Sequence, residues 1–419
     1  MPRDSDDSRP RRNRAPEFAL ACFFLVLVAS VIVIQTTVEI HRGEGISALE
    51  VFRQKPTAAH LRAYEHGLED ASVVARALRP WVQFAQFAWL RDGGEKALVG
   101  RDGWLFYKPG FDDMVSRGSG NSRATDDAVT AIVAWRDALA ARGIQLLVMP
   151  APNKESIYPD YLTRRAKPGQ TLMSPPTSDL LQRLKSANVE CVDLFALFAH
   201  ARTNTARADA PLLYLERDSH WSPAGVALAA QAVAQRLTKK GWVKSSQTAY
   251  REKPLEVERL GDVVRMLQSA QIEKSSVPEK VPCVQVFRED AGSLYQDQAD
   301  SEVLVLGDSF LRIYQQDEPG GAGFIAHLAA ELRQPLTSLV SEGGASTLVR
   351  QELYRRPALL KNKRVVVWEF VERDIRLGTE GWQQVPLPPE LRAETPTRRR
   401  GRNDLSPTKS QLRSVFAEK

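Results

Sequence analysis

The chain has 419 residues, with 57 Lys and Arg against 51 Asp and Glu, a formal net charge of +6; 43% of residues are hydrophobic and 26% charged. This balance excludes a wholly disordered, collagen-like or disulfide-dense chain. The positive excess is concentrated at the ends: residues 390–419 hold eight basic and four acidic side chains and residues 1–17 hold five and four, so the body between them is nearly neutral. No basic stripe of the kind that follows a nucleic-acid backbone is visible in it.

In chain order, residues 1–17 form a short leader whose arginines Arg9, Arg11, Arg12 and Arg14 stand immediately before an apolar run, Phe18–Val38, with no charged residue. As a helix this run spans roughly 31 Å, about one hydrocarbon core. The arginines place the N-terminus in the cytoplasm and everything after Val38 on the far side of the inner membrane, facing the periplasm. A cleaved signal peptide is the competing reading, but the run is longer than the usual apolar region of such a signal and no A-x-A site follows. A single uncleaved anchor is therefore expected.

Residues 39–95 carry helical patterning, with Leu61, Tyr64, Leu68, Val73, Leu78, Val82 and Phe84 among polar residues, and read as a stalk or lead-in. A glycine-containing turn then runs into an aromatic strand in GRDGWLFY, Gly100–Tyr107. Beyond it, strands are predicted at Gln145–Met149, Val189–Leu194, Val303–Leu306, Leu336–Val340 and Val365–Phe370. Helices are predicted near Asp126–Ala141, Pro175–Ala187, Pro223–Leu237, Gly321–Leu332 and Ser346–Tyr354. Apolar strands separated by helices argue for an α/β domain over residues 96–385, a parallel sheet with helices on both faces. Lys239–Asp300 interrupts the alternation and reads as a polar insertion, with Val281–Phe287 as one of its strands. Residues 386–419, rich in Pro, Arg, Ser and Thr, read as a disordered basic tail. Of the three cysteines, Cys22 lies in the apolar run, and whether Cys191 and Cys283 are bonded is open from sequence. No Cys/His spacing suggests a metal site, and no cofactor motif is present.

Two short motifs carry chemistry. VLVLGDSF, Val303–Phe310, is an apolar strand ending in Gly307-Asp308-Ser309. A serine at the C-terminal end of a parallel strand stands where open α/β sheets place their sites, and a tight turn there exposes its hydroxyl as in a nucleophile elbow. Asp218-Ser219-His220-Trp221-Ser222-Pro223 places an acid and an imidazole two residues apart, in a loop entering a helix with Ser222 as N-cap and Pro223 at its first position. A serine hydroxyl needs an imidazole to accept its proton, and that imidazole needs a carboxylate to fix its tautomer. The bland readings are a strand-to-turn junction for the first motif and a capping acid with a surface histidine for the second.

The acid–histidine pair precedes the serine by about ninety residues, the reverse of the order in ordinary GDS esterases. In that order, Asp218, His220 and Ser309 resemble the SGNH-hydrolase-like polysaccharide O-acetyltransferases related to the alginate acetylation proteins AlgJ and AlgX. GRDGWLFY at 100–107 is similar to the opening of that family's domain and VVVWEFVERD at 365–374 to its closing strand, and the anchored layout looks like AlgJ.

The resemblance implies an SGNH-like fold and transfer of an acetyl group to hydroxyls of an exported polysaccharide through an acyl-enzyme on Ser309. His220 would be the base and Asp218 its orienter. It also implies a multi-pass membrane acyltransferase as acetyl supplier. A carbohydrate acetyl-esterase with the same triad and a non-catalytic scaffold subunit are the alternatives. Candidates for oxyanion or substrate contact are the backbone N–H of Ser309, the backbone of Gly343-Gly344, which also reads as a plain loop before a helix, Asn153 on the same edge of the sheet, and Tyr314 and Arg373, each with a surface or packing role as the alternative. Trp221 would wall the site, while Trp104 and Trp368 read as core.

Overall fold

The residues Val365–Val371, VVVWEFV, are all buried and form the central strand of the main sheet. The structure, a computed structural model, describes residues 15–52, 55, 57–115, 122–204, 211–244, 246–342, 344–377 and 381–390. The strands among these are β1 (Asp92–Gly93), β2 (Ala97–Val99), β3 (Leu105–Tyr107), β4 (Gln145–Ala151), β5 (Glu190–Cys191), β6 (Tyr250–Arg259), β7 (Glu279–Arg288), β8 (Val303–Gly307), β9 (Thr337–Val340) and β10 (Val365–Val371). The main sheet has the order β5-β4-β10-β8-β9, with every pair parallel. β10 therefore has both neighbours, and its run of Val, Trp and Phe reflects burial on both faces.

Alternation along the strands divides the core in two. Leu146, Val148, Leu304, Leu306, Val366, Trp368 and Phe370 face the helices Ser122–Ala140, Pro175–Ser186 and Leu348–Tyr354 through Ile132, Trp135, Leu180, Leu184, Val349 and Leu353. The intervening residues Leu147, Met149, Val303, Val305, Val365 and Val367 face the helices Leu194–Asn204, Pro223–Lys239 and Phe324–Leu332 through Phe198, Val226, Ala229, Val233, Ile325 and Leu328. The fold is thus the α/β sheet with helices on both faces, preceded by the apolar helix Ala15–Arg42, which is long and apolar enough to cross a membrane.

Several sequence expectations change. The predicted strand Val189–Leu194 shrinks to Glu190–Cys191, an edge strand, because the Asp193 side chain accepts from Ala196 N at 3.0 Å and a helix starts at Leu194. The polar insertion is ordered: β6 and β7 pair antiparallel along ten residues, and the helices Asp262–Met266 and Ala270–Ser275 lie between them. Val257, Val281, Cys283 and Val286 from this ribbon enter the second core. Packing also continues past the expected boundary at 385, since Leu387 is buried in the first core and the Trp135 indole donates to the Val385 carbonyl at 2.8 Å. The rest of the predicted tail, 391–419, lies outside the described residues. Cys191 on β5 and Cys283 on β7 are both free thiols.

Trp368 shows how closely the first core is fitted. Its ring centroid lies 5.3 Å from that of Trp135, 5.6 Å from Phe370 and 5.7 Å from Trp382, and its indole N–H donates to the Ala345 carbonyl at 2.8 Å. Trp368→Ala is expected to cost about 3–5 kcal/mol, read as a lower midpoint in denaturant. A loss below about 1 kcal/mol would mean that neighbouring rings refill the space.

Candidate active site

β8 ends in Gly307, where a side chain has no room: a Cβ would stand 2.4 Å from both Glu369 Oε2 and Leu311 Cδ1. Asp308 then caps a one-turn helix, Ser309–Arg312, its Oδ1 accepting from Phe310 N at 2.9 Å. The strand end and this cap hold Ser309 at the C-terminal edge of the sheet, beside the central strand. Across from it, the 214–221 loop closes on itself through a bridge between Tyr214 and Trp221. Ser222 caps the following helix by accepting from Gly225 N at 3.2 Å, with Pro223 in the first turn.

This loop brings His220 to Ser309. The Nε2 atom of His220 lies 2.9 Å from Ser309 Oγ, and its Nδ1 lies 2.7 Å from Asp218 Oδ1. Only a ring proton on Nδ1 satisfies the carboxylate, so Nε2 of the neutral ring presents its lone pair to the serine hydroxyl. The same Asp218 oxygen also accepts from His220 N at 3.1 Å, which fixes the local turn.

A second carboxylate, which the sequence reading missed, completes the cluster. Asp262 Oδ2 lies 3.5 Å from His220 Nδ1, while its two oxygens accept from Ser219 N at 2.6 Å and Ser219 Oγ at 2.5 Å. Its backbone N–H donates to Asp218 Oδ2 at 3.2 Å, and the Arg259 guanidinium stands 3.8 Å from that oxygen. Gly261 makes the approach feasible: at φ +90 it is left-handed, and a Cβ there would meet the Arg217 carbonyl oxygen at 2.3 Å. Both Arg259 and Asp262 come from the polar insertion. The Gly-Asp pair just past a strand was the only signal available for them.

Burial and charge divide the two acids. Burial raises the pKa of Asp218, but the hydrogen bond and charge of His220, a hydrogen bond from the Asp262 side chain and the charge of Arg259 outweigh it and hold this carboxyl well below the usual carboxylate range. Asp262 is shifted up, first by burial and then by the charge of Asp218. The imidazole feels burial against its charged form, yet the two acids outweigh that and raise its pKa above 6.5. Asp218, Asp262 and His220 have ligand atoms within 4.8 Å of one another, the one such group among the described residues. The Nδ1 proton bonded to Asp218 and the nearby Arg259 guanidinium suit a hydrogen-bonded cluster better than a cation site.

Beneath the loop lies another residue that the sequence did not mark. Lys154 is buried, and its ammonium donates to the carbonyls of Leu105, Glu216 and Asp218 at 2.6, 2.7 and 3.1 Å, below the rings of Trp104 and Phe106. Burial pushes its pKa down to about 8, so it remains a three-proton donor at neutral pH. Glu372 plays a similar part for the end of β4, accepting from Asn153 N at 3.0 Å, Ser156 Oγ at 2.6 Å and Thr177 Oγ1 at 2.9 Å.

The remaining sequence candidates separate. Arg373 is half-buried, with its guanidinium 5.7 Å from the Phe310 ring and 5.4 Å from the Tyr107 ring, beside the serine turn. Burial disfavours its charge, but Asp374, Asp308 and Glu155 more than restore it. Asn153 is buried at the end of β4, and its side-chain oxygen has no hydrogen-bond partner among the described residues. Tyr314 is not exposed to substrate: it is fully buried, its hydroxyl donates to the Trp221 carbonyl at 3.3 Å, and Arg259 covers its ring. Trp221 is a pillar behind the site rather than a wall of it, buried against Phe324 and Phe310, with its N–H donating to the Phe310 carbonyl at 3.0 Å. Gly344 does not show the close approach expected of it, since a Cβ would meet nothing nearer than Leu348 at 3.9 Å, and Gly343 lies outside the described residues.

Comparison with known proteins gives a consistent picture. Residues 97–372 match the family model described as the SGNH hydrolase-like domain of the acetyltransferase AlgX. A Pseudomonas putida protein named probable alginate O-acetylase AlgJ is 26% identical over 296 residues, covering 68% of this chain and 72% of the relative. The Pseudomonas aeruginosa protein of the same name is 28% identical over 151 residues, 36% of this chain and 34% of its own. The chain also superimposes on the O-acetyltransferase domain of Pseudomonas putida AlgJ with a TM-score of 0.54 at 22% identity, over 67% of this chain and 92% of that one. On Pseudomonas aeruginosa AlgX the TM-score is 0.50 at 18% identity, over 69% and 66%.

Lys154→Met keeps the side-chain length but takes one donor from each of three carbonyls, of which only that of Glu216 is part-buried and also accepts from Leu105 N, at 2.9 Å. The expected cost is about 3 kcal/mol in denaturant unfolding, with faster amide exchange in the 214–221 loop. An unchanged midpoint and unchanged exchange would show that Lys154 does not hold the loop.

Proposed function

The chain belongs to the SGNH hydrolase-like acetyltransferase family of AlgX, an acyltransferase family, and on that premise we propose that it moves an acetyl group onto hydroxyls of an exported polysaccharide through an acyl-enzyme on Ser309. The observation that carries this reading is the single imidazole with Nε2 2.9 Å from Ser309 Oγ and Nδ1 2.7 Å from a fully buried aspartate.

In the first half-reaction Ser309 Oγ attacks the donor's acyl carbon while its proton passes to His220 Nε2. The C–O bond to the leaving group breaks, and the leaving group takes that proton. In the second, His220 removes a proton from the sugar hydroxyl, whose oxygen attacks the acyl carbon, and Ser309 leaves with the proton returned to it. Asp218, held ionised, fixes the ring tautomer and stabilises the imidazolium in both halves. Asp262 adds negative charge at the same nitrogen. The Ser309 N–H, at the start of its helix, and the Asn153 amide are the oxyanion donors that this reading favours. Arg373, over the Phe310 ring, is a substrate contact in it.

The apolar helix Ala15–Arg42 serves as a single-pass inner-membrane anchor with the domain in the periplasm, as the arginines before it favour. A multi-pass membrane acyltransferase supplies the acetyl group in this scheme. The polysaccharide class is carried by the name of the AlgJ relatives, probable alginate O-acetylase. An acetyl-esterase would use the same triad, with water as acceptor.

The solubilised full chain, given an acetyl-ester donor with and without oligosaccharide acceptors, is expected to yield acetylated sugar by mass spectrometry. Ser309→Ala and His220→Ala should each lower turnover by about 10³-fold or more. Acetate alone would favour the esterase, and full turnover in Ser309→Ala would sink both.

The pH profile has a definite sign. A protonated His220 cannot accept the serine proton, so activity is lost as pH falls through the imidazole pKa and is present above it. That limb is expected above pH 6.5, the ordinary histidine value. Asp262→Asn removes a charge that raises this pKa, so the limb should move to lower pH. A limb that stays in place would remove Asp262 from the titration of His220.

A further inference from the structure

The anchor does not simply hand the chain to a free stalk. Glu39, in the last turn of the Ala15–Arg42 helix, is buried and accepts from Gln35 Nε2 at 2.7 Å, Ser47 N at 3.0 Å and the Ser47 hydroxyl. Gln35 in turn donates to the Ala71 carbonyl at 3.2 Å and accepts from Val73 N at 2.8 Å. The lead-in therefore turns back on the anchor, and its helix Val73–Ala85 begins at the level of Gln35, inside the charge-free run that ends at Val38.

That helix has two apolar sides. One faces the domain: Phe84 and, just past the helix, Phe87 pack on Val263, Val264 and Ile272, and Ser269 Oγ donates to the Pro80 carbonyl at 3.1 Å. The other side has no protein over it in this structure. Leu78, Trp81 and Val82, spaced i, i+3 and i+4, are exposed, and Trp89 follows; the two indoles are 60% and 81% exposed. Phe52, on the short 3₁₀ turn Ser47–Phe52 that caps Glu39, is 82% exposed. Large exposed apolar side chains gathered on one segment mark an interaction surface.

We infer that this surface is a membrane-docking element: the lead-in lies in the interfacial layer of the bilayer at the C-terminal end of the anchor, with Trp81, Trp89 and Phe52 inserted at headgroup depth. The segments that carry the patch are bonded to the membrane-spanning helix, through Ser47 to Glu39 and through Gln35, which donates to the Ala71 carbonyl and accepts from Val73 N and so fixes the start of the docking helix at the edge of the hydrocarbon. Tryptophan is the residue favoured at that depth. The opposite side of the element sits on the Asp262–Met266 helix, whose first residue faces His220. Docking would thus hold the catalytic cluster at a fixed standing above the membrane, near acyl groups that emerge from it. The inference rests on the reading of Ala15–Arg42 as an anchor.

The test uses the full chain reconstituted in phosphatidylcholine vesicles, with acyl chains either plain or brominated near the headgroup end. The anchor contains no tryptophan, and Trp81 and Trp89 are two of eight in the chain. Bromolipid should therefore quench about a quarter of the tryptophan emission of the parent, and Trp81→Ser/Trp89→Ser should lose that quenching while its remaining emission is unchanged. Vesicles that float with the protein but leave the parent unquenched, or that quench the double variant equally, would overturn the docking and leave the anchor intact. Trp81 and Trp89 open to aqueous acrylamide but not to bromolipid would overturn it in favour of a protein partner. Protein that fails to float with the vesicles would overturn the anchor itself and the docking with it.

Discussion

One imidazole, His220, is the point on which the site depends. It touches Ser309 through Nε2 and Asp218 through Nδ1, and each contact is held by a different part of the chain. A loop of this kind has no intrinsic reason to keep its shape, so its geometry comes from what surrounds it. Lys154 holds three carbonyls below it, Asp262 takes up the Ser219 donors beside it, and Trp221 is clamped between Phe310 and Phe324 behind it. A buried network of this sort is stable only when its donors and acceptors are nearly all matched, which ties the loop to the sheet edge.

The sheet contributes by position rather than by chemistry. β10 is central; Glu369 near its C-terminal end accepts from Asp308 N at 3.1 Å, and Glu372, just past it, accepts from Asn153 N at 3.0 Å. Two carboxyl groups at the end of one strand thus brace the turn after β8 and the turn after β4, the two edges that flank the site. Burial, followed by the charge of Asp308, pushes Glu369 well above the usual carboxylate range.

How much of this the sequence revealed follows from the range of each interaction. The serine at the end of VLVLGDSF and the Asp-x-His loop were legible because strand, turn and cap are encoded within a few residues of one another. The three inner strands, β4, β10 and β8, were legible because burial on both faces leaves continuous apolar runs. Asp262 and Lys154 were not, because each acts on the loop across more than forty residues and from segments with no periodic pattern of their own. The ribbon β6–β7 was half legible: Val281–Phe287 read as a strand, but β6 and its pairing did not, because its burial pattern mixes exposed charges with single core residues such as Val257. Tyr314 and Trp221 were legible as residues near the site but not in their orientation, which packing alone decides.

The central claim is that Asp218, His220 and Ser309 act as one proton-transfer unit that makes a single serine nucleophilic. Its most direct test is reaction of the full chain with a sulfonyl fluoride followed by peptide mapping. The expected result is one adduct, on Ser309, formed at a rate that rises with pH through the titration of His220 and is lost in His220→Gln. Adducts spread over several serines, or formed at an undiminished rate in His220→Gln, would contradict it.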